Sequence, residues 1–392
     1  MSTHHVVILG AGSAALAAAR TLAAHPQIST TLVAQTGEQP YTRMLIKGIA
    51  FGDTAPEAIR ARLPRVEFVT DTAVSVDAAG RAVRLASGAA LPFDSLIVAT
   101  GSRARALDEA VRGAVEAARA GQLVTLHGMG DAMHIAARLR ATPERIPVAI
   151  YGAGLTASET ASSLRSLGHP VALISRSELP GVASFGGAIA GRIADAHRAN
   201  VDTYFGRTVD AIRSGSESAV VALDDGTELE VALLIVAVGT EPHAPAPWDG
   251  GVSVDGGLRV LDGGIAQGGD SGGGVFAAGG VAIHRGGPLG DWRIDHWDDA
   301  SEQGSHAARG VLSALGLGED PGVYLPRSAH LAMIYGHTVA GAGFTGTPEA
   351  RPAGAEGGVY LHERGGLVVG ASGLDAVGPV YQWAQLLHGA DA

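Results

Sequence analysis

The sequence contains no cysteine. This absence excludes disulfide scaffolds, thiolate metal sites and a redox-active cysteine pair. Any redox chemistry must therefore take place on a bound cofactor. No pattern fits Ser-His-Asp or zinc chemistry, although 15 histidines are present. We expect no metal site, and we expect His284, His296 and His330 to serve in hydrogen bonding or packing.

Basic residues and long apolar runs are also scarce. The net charge is −11, with 28 Lys and Arg against 39 Asp and Glu, so nucleic acid is a poor partner candidate. No apolar run reaches the ~20 residues that a membrane helix needs. The N-terminus lacks the basic start of a signal peptide, so we expect a cytoplasmic chain without a membrane segment. A hydrophobic content of 46% over 392 residues favours two or three domains with large cores.

Lysine occurs once, at Lys47, and every other residue of the Lys and Arg class is arginine. A bias of the genome towards arginine codons explains the general scarcity. Against that background the single lysine favours a specific chemical role for Lys47.

Two βαβ units lie about one domain length apart, and each pairs short β-rich runs with a helical pattern. They cover residues 6–9, 13–24 and 30–34, and then 148–151, 155–167 and 171–175. A meander follows each unit, at 65–91 and 205–236, and an apolar strand ending in glycine closes each half, at 96–101 and 233–239. The sequence therefore predicts an internal duplication.

The rest of the chain completes the predicted organisation. Glycine- and proline-rich loops are predicted over 242–290, and a third segment is predicted from about residue 323, with strands at 358–362 and 367–371 and a helix at 379–388. The predicted fold is α/β, with two Rossmann-like dinucleotide-binding domains that carry β-meander insertions, plus a small C-terminal α+β domain. The predicted boundaries are 1–112 with 241–322 for the first Rossmann-like domain, 113–240 for the second and 323–392 for the C-terminal domain.

The first glycine-rich turn is Gly10-Ala11-Gly12-Ser13-Ala14-Ala15, between a strand and a helix. Gly10 allows the tight turn, Gly12 lets the backbone approach a pyrophosphate, and the free N–H groups at the helix start favour phosphate. A tight turn without a ligand is the less favoured alternative. An acid is expected about 20 residues later to bind a ribose, but Gln35 stands there and offers a hydrogen bond without charge.

The second turn is Gly152-Ala153-Gly154-Leu155-Thr156-Ala157, again between strand and helix. Its second strand ends at Ser175-Arg176 without an acid for a ribose 2′-hydroxyl. Because Arg176 is suited to a 2′-phosphate, NADPH is favoured over NADH. A solvent-facing loop position is the alternative for Arg176. Two dinucleotide sites in one chain favour a flavin plus a nicotinamide. We therefore predict that 1–112 with 241–322 form an FAD domain and that 113–240 form an NAD(P) domain.

Four further segments carry a resemblance to a known group of flavoproteins. They are 40–47 (PYTRMLIK), 96–101 (LIVATG), 236–242 (VAVGTEP) and 293–304 (RIDHWDDASEQG). In this order they resemble the ferredoxin, rubredoxin and putidaredoxin reductases and apoptosis-inducing factor. These form a branch of the FAD-dependent pyridine nucleotide-disulfide oxidoreductase superfamily; this chain would belong to it without redox cysteines.

The resemblance implies roles for individual residues. It implies contacts with FAD or the nicotinamide cofactor for Gly10, Gly12, Ser13, Ala14, Gln35, Arg43, Lys47, Val74, Ala99, Thr100, Gly101, Gly152, Gly154, Leu155, Ser175, Arg176, Gly239, Gly279, Gly280, His296 and Trp297. Within this set Arg43 would lie along FAD, Val74 would hold adenine through its backbone, and Lys47 would lie near flavin N5. The implied catalytic residues are Lys47, Glu159, which would contact the nicotinamide amide, and Trp297 beside the isoalloxazine. A helix-surface Glu159 and a core Trp297 are the alternatives.

Departures from the family pattern bear on these roles. Gly280 stands where the family has an aspartate that bonds the flavin ribityl chain, and losing such a bond costs about 1–3 kcal/mol of FAD binding. When this sequence is aligned without gaps to the family pattern from Tyr41 onwards, Gly48 takes the position of the family's lysine. If the segment is one residue shorter here than in the family, Lys47 takes that position instead. Residues 326–337 do not closely match the aromatic-rich start of the family's third domain.

The predicted activity is hydride transfer from NAD(P)H to flavin N5, followed by electron transfer to an acceptor. The resemblance favours a small iron–sulfur protein as the acceptor, although the segment from 323 onwards has three Arg against five Asp and Glu. Quinone, oxygen or a small metabolite is the enzymatic alternative. A degenerate nucleotide-binding module with weak or no FAD is the alternative outside catalysis. The chain is expected to be a monomer or a homodimer.

Overall fold

The computed structural model describes residues 3–35, 39–141, 144–261, 274–286, 289–346, 350–354 and 358–389. The chain divides into two compact units. The first unit contains 1–44, 59–103 and 240–326, and the second contains 45–58, 104–239 and 327–392. None of the described helices is both long and apolar enough to cross a membrane.

The elements follow one another in chain order as strands and helices. The strands are β1 (His4–Leu9), β2 (Ile28–Ala34), β3 (Glu67–Thr70), β4 (Ala73–Asp77), β5 (Ala82–Leu85), β6 (Ala90–Pro92), β7 (Ser95–Val98), β8 (Ser102–Ala104), β9 (Leu123–Thr125), β10 (Val148–Tyr151), β11 (Val171–Ser175), β12 (Asp202–Phe205), β13 (Val209–Ser214), β14 (Ala219–Leu223), β15 (Glu228–Val231), β16 (Leu233–Val236), β17 (Thr240–Pro242), β18 (Val252–Val254), β19 (Val275–Ala277), β20 (Ala282–His284), β21 (Ala329–Ile334), β22 (His337–Gly343), β23 (Ala350–Pro352), β24 (Val359–Arg364) and β25 (Leu367–Leu374). The helices are α1 (Ser13–Leu22), α2 (Ile46–Phe51), α3 (Ala114–Arg119), α4 (Met129–Arg140), α5 (Leu155–Ser166), α6 (Val182–Phe185), α7 (Gly187–Asn200), α8 (Trp297–Ala314) and α9 (Val377–Leu386), with short 3-10 helices at Arg43–Leu45 and Pro56–Ile59.

The first unit is built on a parallel sheet in the order β19-β7-β1-β2-β3. Val6, Val7, Ile8 and Leu9 of β1 are fully buried, as expected for a central parallel strand covered on both faces. Leu9 lies in register with Val33 of β2 and with Val98 of β7. The carboxyl ends of these strands therefore lie level, and Gly10 follows at the edge where open α/β sheets bind ligands.

The second unit repeats this arrangement with a parallel sheet in the order β12-β11-β10-β16-β9. Tyr151 at the end of β10 lies in register with Ile174 of β11 and with Val236 of β16. Gly152 therefore stands in the second sheet where Gly10 stands in the first. The predicted pair of Rossmann-like units is confirmed.

The predicted meanders form three-stranded antiparallel sheets, β4-β5-β6 in the first unit and β13-β14-β15 in the second. Gly226 lies in the turn between β14 and β15 with a φ of +85°, a left-handed conformation that glycine adopts readily. The region predicted as loops over 242–290 contains the short strands β18, β19 and β20. Residues 262–273 and 287–288 of that region lie outside the described residues.

The C-terminal segment forms a five-stranded antiparallel sheet in the order β21-β22-β25-β24-β23. Val380 and Ala384 of α9 are buried against it, together with Leu361 and Ala371. On α6 and α7, Phe185, Ile189 and Ile193 share a core with Ala332, Ile334 and Val339 of β21 and β22. This shared core explains why the C-terminal segment falls in the same compact unit as the second sheet. The three-domain boundaries given above remain a prediction.

Candidate functional site

The first glycine-rich turn has a shape that only glycine permits at its start. Gly10 has a φ of +110°, and a Cβ built on it would lie 2.2 Å from the Ala99 carbonyl oxygen. At Gly12, in contrast, an added Cβ would meet nothing within 4 Å. The first residue thus lets β1 turn tightly beside β7, and the second leaves the backbone facing open space.

The start of α1 has the features of an anion site. It carries no side-chain cap and no acidic residue in its first turn. The hydroxyl of Ser13 donates to the carbonyl of Trp297 at 2.8 Å. The helix N–H groups are therefore left for another acceptor, and their dipole favours a negative one.

A cavity of about 220 Å³ opens in front of this helix start. All of its described lining residues belong to the first unit and come from five separated segments. Its lining residues are Ala11, Gly12, Ser13, Ala14, Gln39, Pro40, Tyr41, Arg43, Ala99, Thr100, Gly101, Ser102, Ala278, Gly279, Gly280, Asp295, His296, Trp297 and Ala300. The cavity contains most of the residues predicted to contact FAD in this unit.

Trp297 owes its place in the cavity wall to a close helix crossing. A Cβ on Gly304 would lie 2.1 Å from the Ala14 carbonyl oxygen, so α8 crosses α1 with backbone near backbone. His296 is the N-cap residue of α8, and Trp297 is its first helical residue. The Trp297 side chain is half-buried and lines the cavity, so it is not a fully buried core residue.

Among the described residues that line this cavity, Asp295 is the one carboxylate. Its Oδ2 accepts hydrogen bonds from Ser102 at 2.6 Å, from Thr240 at 2.5 Å and from Arg293 at 3.2 Å. Its Oδ1 is 3.4 Å from Nη2 of Arg43. Burial would raise the pKa of Asp295, but the charges of Arg43 and Arg293 and the two hydroxyl donors outweigh burial and lower the pKa.

A buried hydrogen-bond network supports the part of the cavity lining that contains Gly279. The N–H of Gly279 donates to Gln303 Oε1 at 2.8 Å, and Gln303 donates to Asp299 at 2.6 Å. The hydroxyl of Tyr324 donates to the other oxygen of Asp299 at 2.8 Å. Burial raises the pKa of Asp299 to about 6, against the effect of these donors. Gly279 is thereby fixed from behind by α8.

Gln35 and Val74, like Gly10 and Lys47, are predicted to contact FAD but are not among the residues that line this cavity. Gln35 directly follows β2 and is exposed. Val74 on β4 is 48% exposed, and its carbonyl accepts a hydrogen bond from the Ala246 N–H at 3.0 Å. The contacts of Gln35 and Val74 with the adenosine part of FAD remain predictions.

The second glycine-rich turn repeats the geometry of the first at its start. Gly152 has a φ of +128°, and its Cβ would lie 2.1 Å from the Ala237 carbonyl oxygen. A Cβ on Gly154 would meet the Ser184 hydroxyl at 3.5 Å, an ordinary contact. Leu155 begins α5, which also lacks a side-chain cap and an acid in its first turn. The second unit therefore offers its own phosphate site.

The residues around this turn fit a nicotinamide dinucleotide. Ser175 is buried at the end of β11, and Arg176 beside it is exposed. Gly239 has a φ of +97°, and its carbonyl accepts the Arg105 N–H at 3.0 Å. Arg176 occupies the position after the second strand from which a side chain reaches an adenosine ribose.

Lys47 and Glu159 form an ion pair within the second unit, through the ammonium group and Oε2. Lys47 lies on α2, and Glu159 lies on α5 five residues beyond Gly154. The other oxygen of Glu159 accepts the backbone N–H of Met333 at 3.3 Å. Only 16% of the Glu159 side chain is exposed, so it is not a free helix-surface residue. The structure thus joins Lys47, and not Gly48, to this acid.

Several residues of the sites were not singled out from the sequence. Asp295 and Arg293 stand inside the 293–304 segment, and their charge beside His296 was the available signal. Thr240 stands inside the 236–242 segment, but nothing in the sequence links Thr240 or Ser102 to Asp295, because both are distant from it in sequence. Met333 acts through its backbone, which no side-chain pattern reports. The described part of the chain contains no group of three His, Asp or Glu residues placed to hold a metal ion.

Comparison with protein families gives a match over most of the chain. Residues 4–304 match the model of the family described as pyridine nucleotide-disulphide oxidoreductase. This range contains both glycine-rich turns, the Lys47–Glu159 pair and all residues that line the cavity of the first unit.

The individual proteins that resemble this chain share less than a third of its residues. The chain is 29% identical over 330 residues to the ferredoxin–NAD(+) reductase component of the anthranilate 1,2-dioxygenase system of Burkholderia cepacia, covering 80% of this chain and 77% of that one. It is 28% identical over 267 residues to peroxisomal monodehydroascorbate reductase 4 of Arabidopsis thaliana, covering 67% and 52%. Among solved structures, the covalent putidaredoxin reductase–putidaredoxin complex matches with a TM-score of 0.84 at 20% identity, covering 98% and 93%. At that identity the structural match confirms the predicted fold.

Proposed function

The chain belongs to the pyridine nucleotide-disulphide oxidoreductase family, and on this premise we propose that it passes electrons from NAD(P)H through FAD to a small iron–sulfur protein of the ferredoxin type. Membership confirms the resemblance drawn from the sequence, and with it an FAD-dependent oxidoreductase. The iron–sulfur acceptor is supported by the name of the Burkholderia cepacia relative, a ferredoxin–NAD(+) reductase component.

FAD, when bound, supplies the chemistry: it accepts a hydride from a nicotinamide and releases electrons singly or in pairs. The chain supplies the binding. The N–H groups at the start of α1 would hold the pyrophosphate, with Gly12 allowing close approach, and Thr100 and Gly101, which line the cavity, would border the cofactor. Half-buried Trp297 closes one wall against water.

In the second unit, the start of α5 would hold the pyrophosphate of the nicotinamide cofactor. The Lys47–Glu159 pair would orient the nicotinamide ring, with Glu159 as the acceptor for its carboxamide. Because the Met333 N–H and the Lys47 ammonium bind both oxygens of Glu159, the carboxylate has one orientation before the cofactor arrives.

One observation carries the proposal. Each unit places an uncapped helix start after a glycine whose Cβ would collide with a neighbouring carbonyl, at 2.2 Å for Gly10 and 2.1 Å for Gly152. A single chain therefore holds two phosphate sites of the same construction, and two dinucleotides exchanging a hydride explain both.

An anaerobic titration of the purified protein with NADPH and with NADH tests the two cofactor sites together. We expect bound flavin to be visible in the absorption spectrum and to bleach with a stoichiometric amount of the nicotinamide. A colourless protein that FAD does not reconstitute would contradict the proposal and favour the nucleotide-binding module.

The acceptor is tested by coupling NAD(P)H oxidation to cytochrome c through an added ferredoxin. We expect the rate of cytochrome c reduction to rise in proportion to ferredoxin at low concentration. A rate that does not depend on ferredoxin would exclude the iron–sulfur acceptor while leaving the flavoenzyme intact.

The finer proposal for the nicotinamide cofactor is NADPH. Exposed Arg176 after β11 supplies a guanidinium for a 2′-phosphate, and no acid stands there for a 2′-hydroxyl. Arg176→Ala is expected to reduce kcat/KM for NADPH about tenfold to a hundredfold and to leave NADH nearly unchanged. Arg198→Ala, which removes an exposed arginine from α7, is the control. A preference of the unaltered enzyme for NADH, the cofactor named for the Burkholderia cepacia relative, would overturn this choice.

A small oxidised metabolite is the second candidate acceptor, because one relative is a monodehydroascorbate reductase. In this case monodehydroascorbate or a quinone, added without ferredoxin, would support turnover at a higher kcat/KM than ferredoxin does.

A further inference from the structure

Gly280 provides no side-chain hydrogen-bond acceptor to the cavity of the first unit, and another residue is positioned to provide one. The residue has no side chain to offer a bound cofactor. A Cβ built on Gly280 would lie 2.5 Å from Oδ1 of Asp295 and 3.3 Å from Cβ of Ser102. That first distance is close to the separation of Cβ and Oδ within an aspartate. Cγ of Asp295 is 3.0 Å from the same Cβ position, so only Oδ1 enters the space that a side chain at position 280 would occupy.

We propose that Asp295 accepts a hydrogen bond through Oδ1 from a hydroxyl of the FAD ribityl chain, a contact that Gly280 makes possible by leaving room for the carboxylate. The proposal rests on the proposed function, because it needs FAD in the cavity of the first unit.

The two carboxylate oxygens of Asp295 have different surroundings. Oδ2 accepts from Ser102, Thr240 and Arg293 at 2.5–3.2 Å. Oδ1 has a longer contact, 3.4 Å to Arg43. Since a carboxylate oxygen accepts about two hydrogen bonds, Oδ1 retains capacity for a further donor. The donors on Oδ2 also fix the rotamer of the side chain before a ligand binds.

The charge state and position of Asp295 suit this task. Its side chain is 13% exposed and lies in the cavity lining. Two arginines and two hydroxyl groups keep it ionised, and an ionised carboxylate is an acceptor without a proton of its own. A polyol chain carries hydroxyl donors, and a charge-assisted hydrogen bond to one of them is stronger than a neutral one.

FAD affinity is the direct test. FAD is removed from the purified protein, and its dissociation constant is measured by flavin fluorescence on rebinding. Asp295→Ala is expected to weaken FAD about tenfold to a hundredfold. Asp291→Ala, which removes an exposed carboxylate of the same unit, is the control and is expected to bind FAD like the unaltered protein. An unchanged dissociation constant for Asp295→Ala would overturn the proposal.

A relocated carboxylate separates a contact with FAD from a purely structural role. Gly280 does not have a left-handed φ, so a side chain fits its backbone. The double variant Gly280→Asp with Asp295→Ala moves the carboxylate to the other segment and is expected to recover most of the FAD affinity. Gly280→Asp alone places two carboxylates together and is expected to bind FAD more weakly. If the double variant does not recover FAD affinity, the role of Asp295 is to position Arg43 and Arg293 and not to contact FAD.

FAD analogues that lack one ribityl hydroxyl complete the test. The unaltered protein should bind one of these analogues more weakly than FAD, by the same factor by which Asp295→Ala weakens FAD binding. The Asp295→Ala variant should bind that analogue and FAD with equal affinity. If every analogue loses equally on both proteins, the proposal is wrong. If the unaltered protein binds no FAD at all, the proposed function itself fails, and this outcome is distinct from a failure confined to Asp295.

Discussion

The pair of Lys47 and Glu159 joins the only lysine of the chain to the helix that follows the second glycine-rich turn. Two features of the sequence indicate a role for Lys47: the rarity of lysine and the resemblance of the surrounding segment to a family pattern. The structure adds the partner and the backbone N–H of Met333 on its second oxygen. A charged group held on two sides loses little freedom when it binds a ligand, which is how positioning residues act on a rate.

The rate of flavin reduction by NAD(P)H should depend on this pair. Lys47→Met removes the cation and leaves a largely buried carboxylate without its ion partner, while Glu159→Gln keeps an acceptor for Met333. Each change is expected to slow reduction about tenfold to a hundredfold in stopped-flow measurements, with FAD content unchanged. The double variant should be little slower than either single variant, since the residues act as a unit.

Lys47→Arg is the matched control because it keeps the positive charge, and it should retain more of the rate than Lys47→Met. Single variants that reduce flavin at the original rate would show that the pair only supports the packing of α2 on α5.

At the level of elements, the two glycine-rich turns are nearly equivalent in geometry but serve separate sheets. Gly10 and Gly152 both have positive φ values and both lie against a carbonyl of the neighbouring strand end. The turns differ at their second glycine, where Gly12 faces open space and Gly154 faces the Ser184 hydroxyl. Each turn can therefore be disrupted by itself.

Alanine at the first glycine of each turn should separate the two cofactors. Gly10→Ala is expected to lose FAD and colour, because a Cβ at 2.2 Å from a carbonyl oxygen forces the turn to move. Gly152→Ala is expected to keep FAD and to raise the concentration of NAD(P)H needed for half-maximal reduction about tenfold or more.

The flavin spectrum and an NAD(P)H titration check both variants. Gly191→Ala is the control, since Gly191 lies in α7 with nothing within 4 Å of its Cβ position. If Gly10→Ala retained FAD and Gly152→Ala lost it, the assignment of cofactors to turns would be reversed.

For the whole molecule, buried imidazoles dominate the expected response to acid. Burial lowers the pKa of His197 and of His362 to about 4 and that of His284 to about 3. His197 also links α7 to Ser158 at 3.0 Å and to Tyr335 at 2.9 Å as a neutral ring. These rings stabilise the folded chain above their unfolded pKa of 6.5, and this stability is lost as pH falls towards 4.

The free energy of unfolding should therefore fall between pH 7.5 and pH 5. The expected loss is about 2 kcal/mol for each of these histidines, partly offset by about 1 kcal/mol from Asp299, whose raised pKa favours its protonated form in the folded state. Urea unfolding at the two pH values measures the change. His197→Gln should reduce the loss and His243→Gln, at an exposed position, should not. A stability that is constant over this range would contradict the expected burial of the three rings.

The local pattern of residues was enough to predict the framework of both sheets. The strand at 148–151 and the strand at 171–175 were predicted with the bounds that the structure has, and the starts of α1 and α5 at Ser13 and Leu155 were also predicted. These elements depend on short-range rules: buried apolar runs form parallel strands, and a Gly-x-Gly turn after a strand begins a helix. The duplicated fold and the two candidate nucleotide sites were predicted from the same rules.

Only the tertiary structure decided which distant side chains meet. Asp295 reaches the place beside Gly280, Glu159 faces Lys47 across 112 positions of sequence, and Met333 adds a backbone N–H to that acid. From the sequence, Gly280 is predicted to remove a hydrogen-bond acceptor, because a sequence pattern shows only the residue at each position. It does not show that a distant side chain, here Asp295, enters the space that the glycine leaves. The packing of the C-terminal sheet on α6 and α7 is likewise decided by buried surfaces far apart in the chain. Non-local contacts depend on the shape of the whole core, and no local periodicity specifies them.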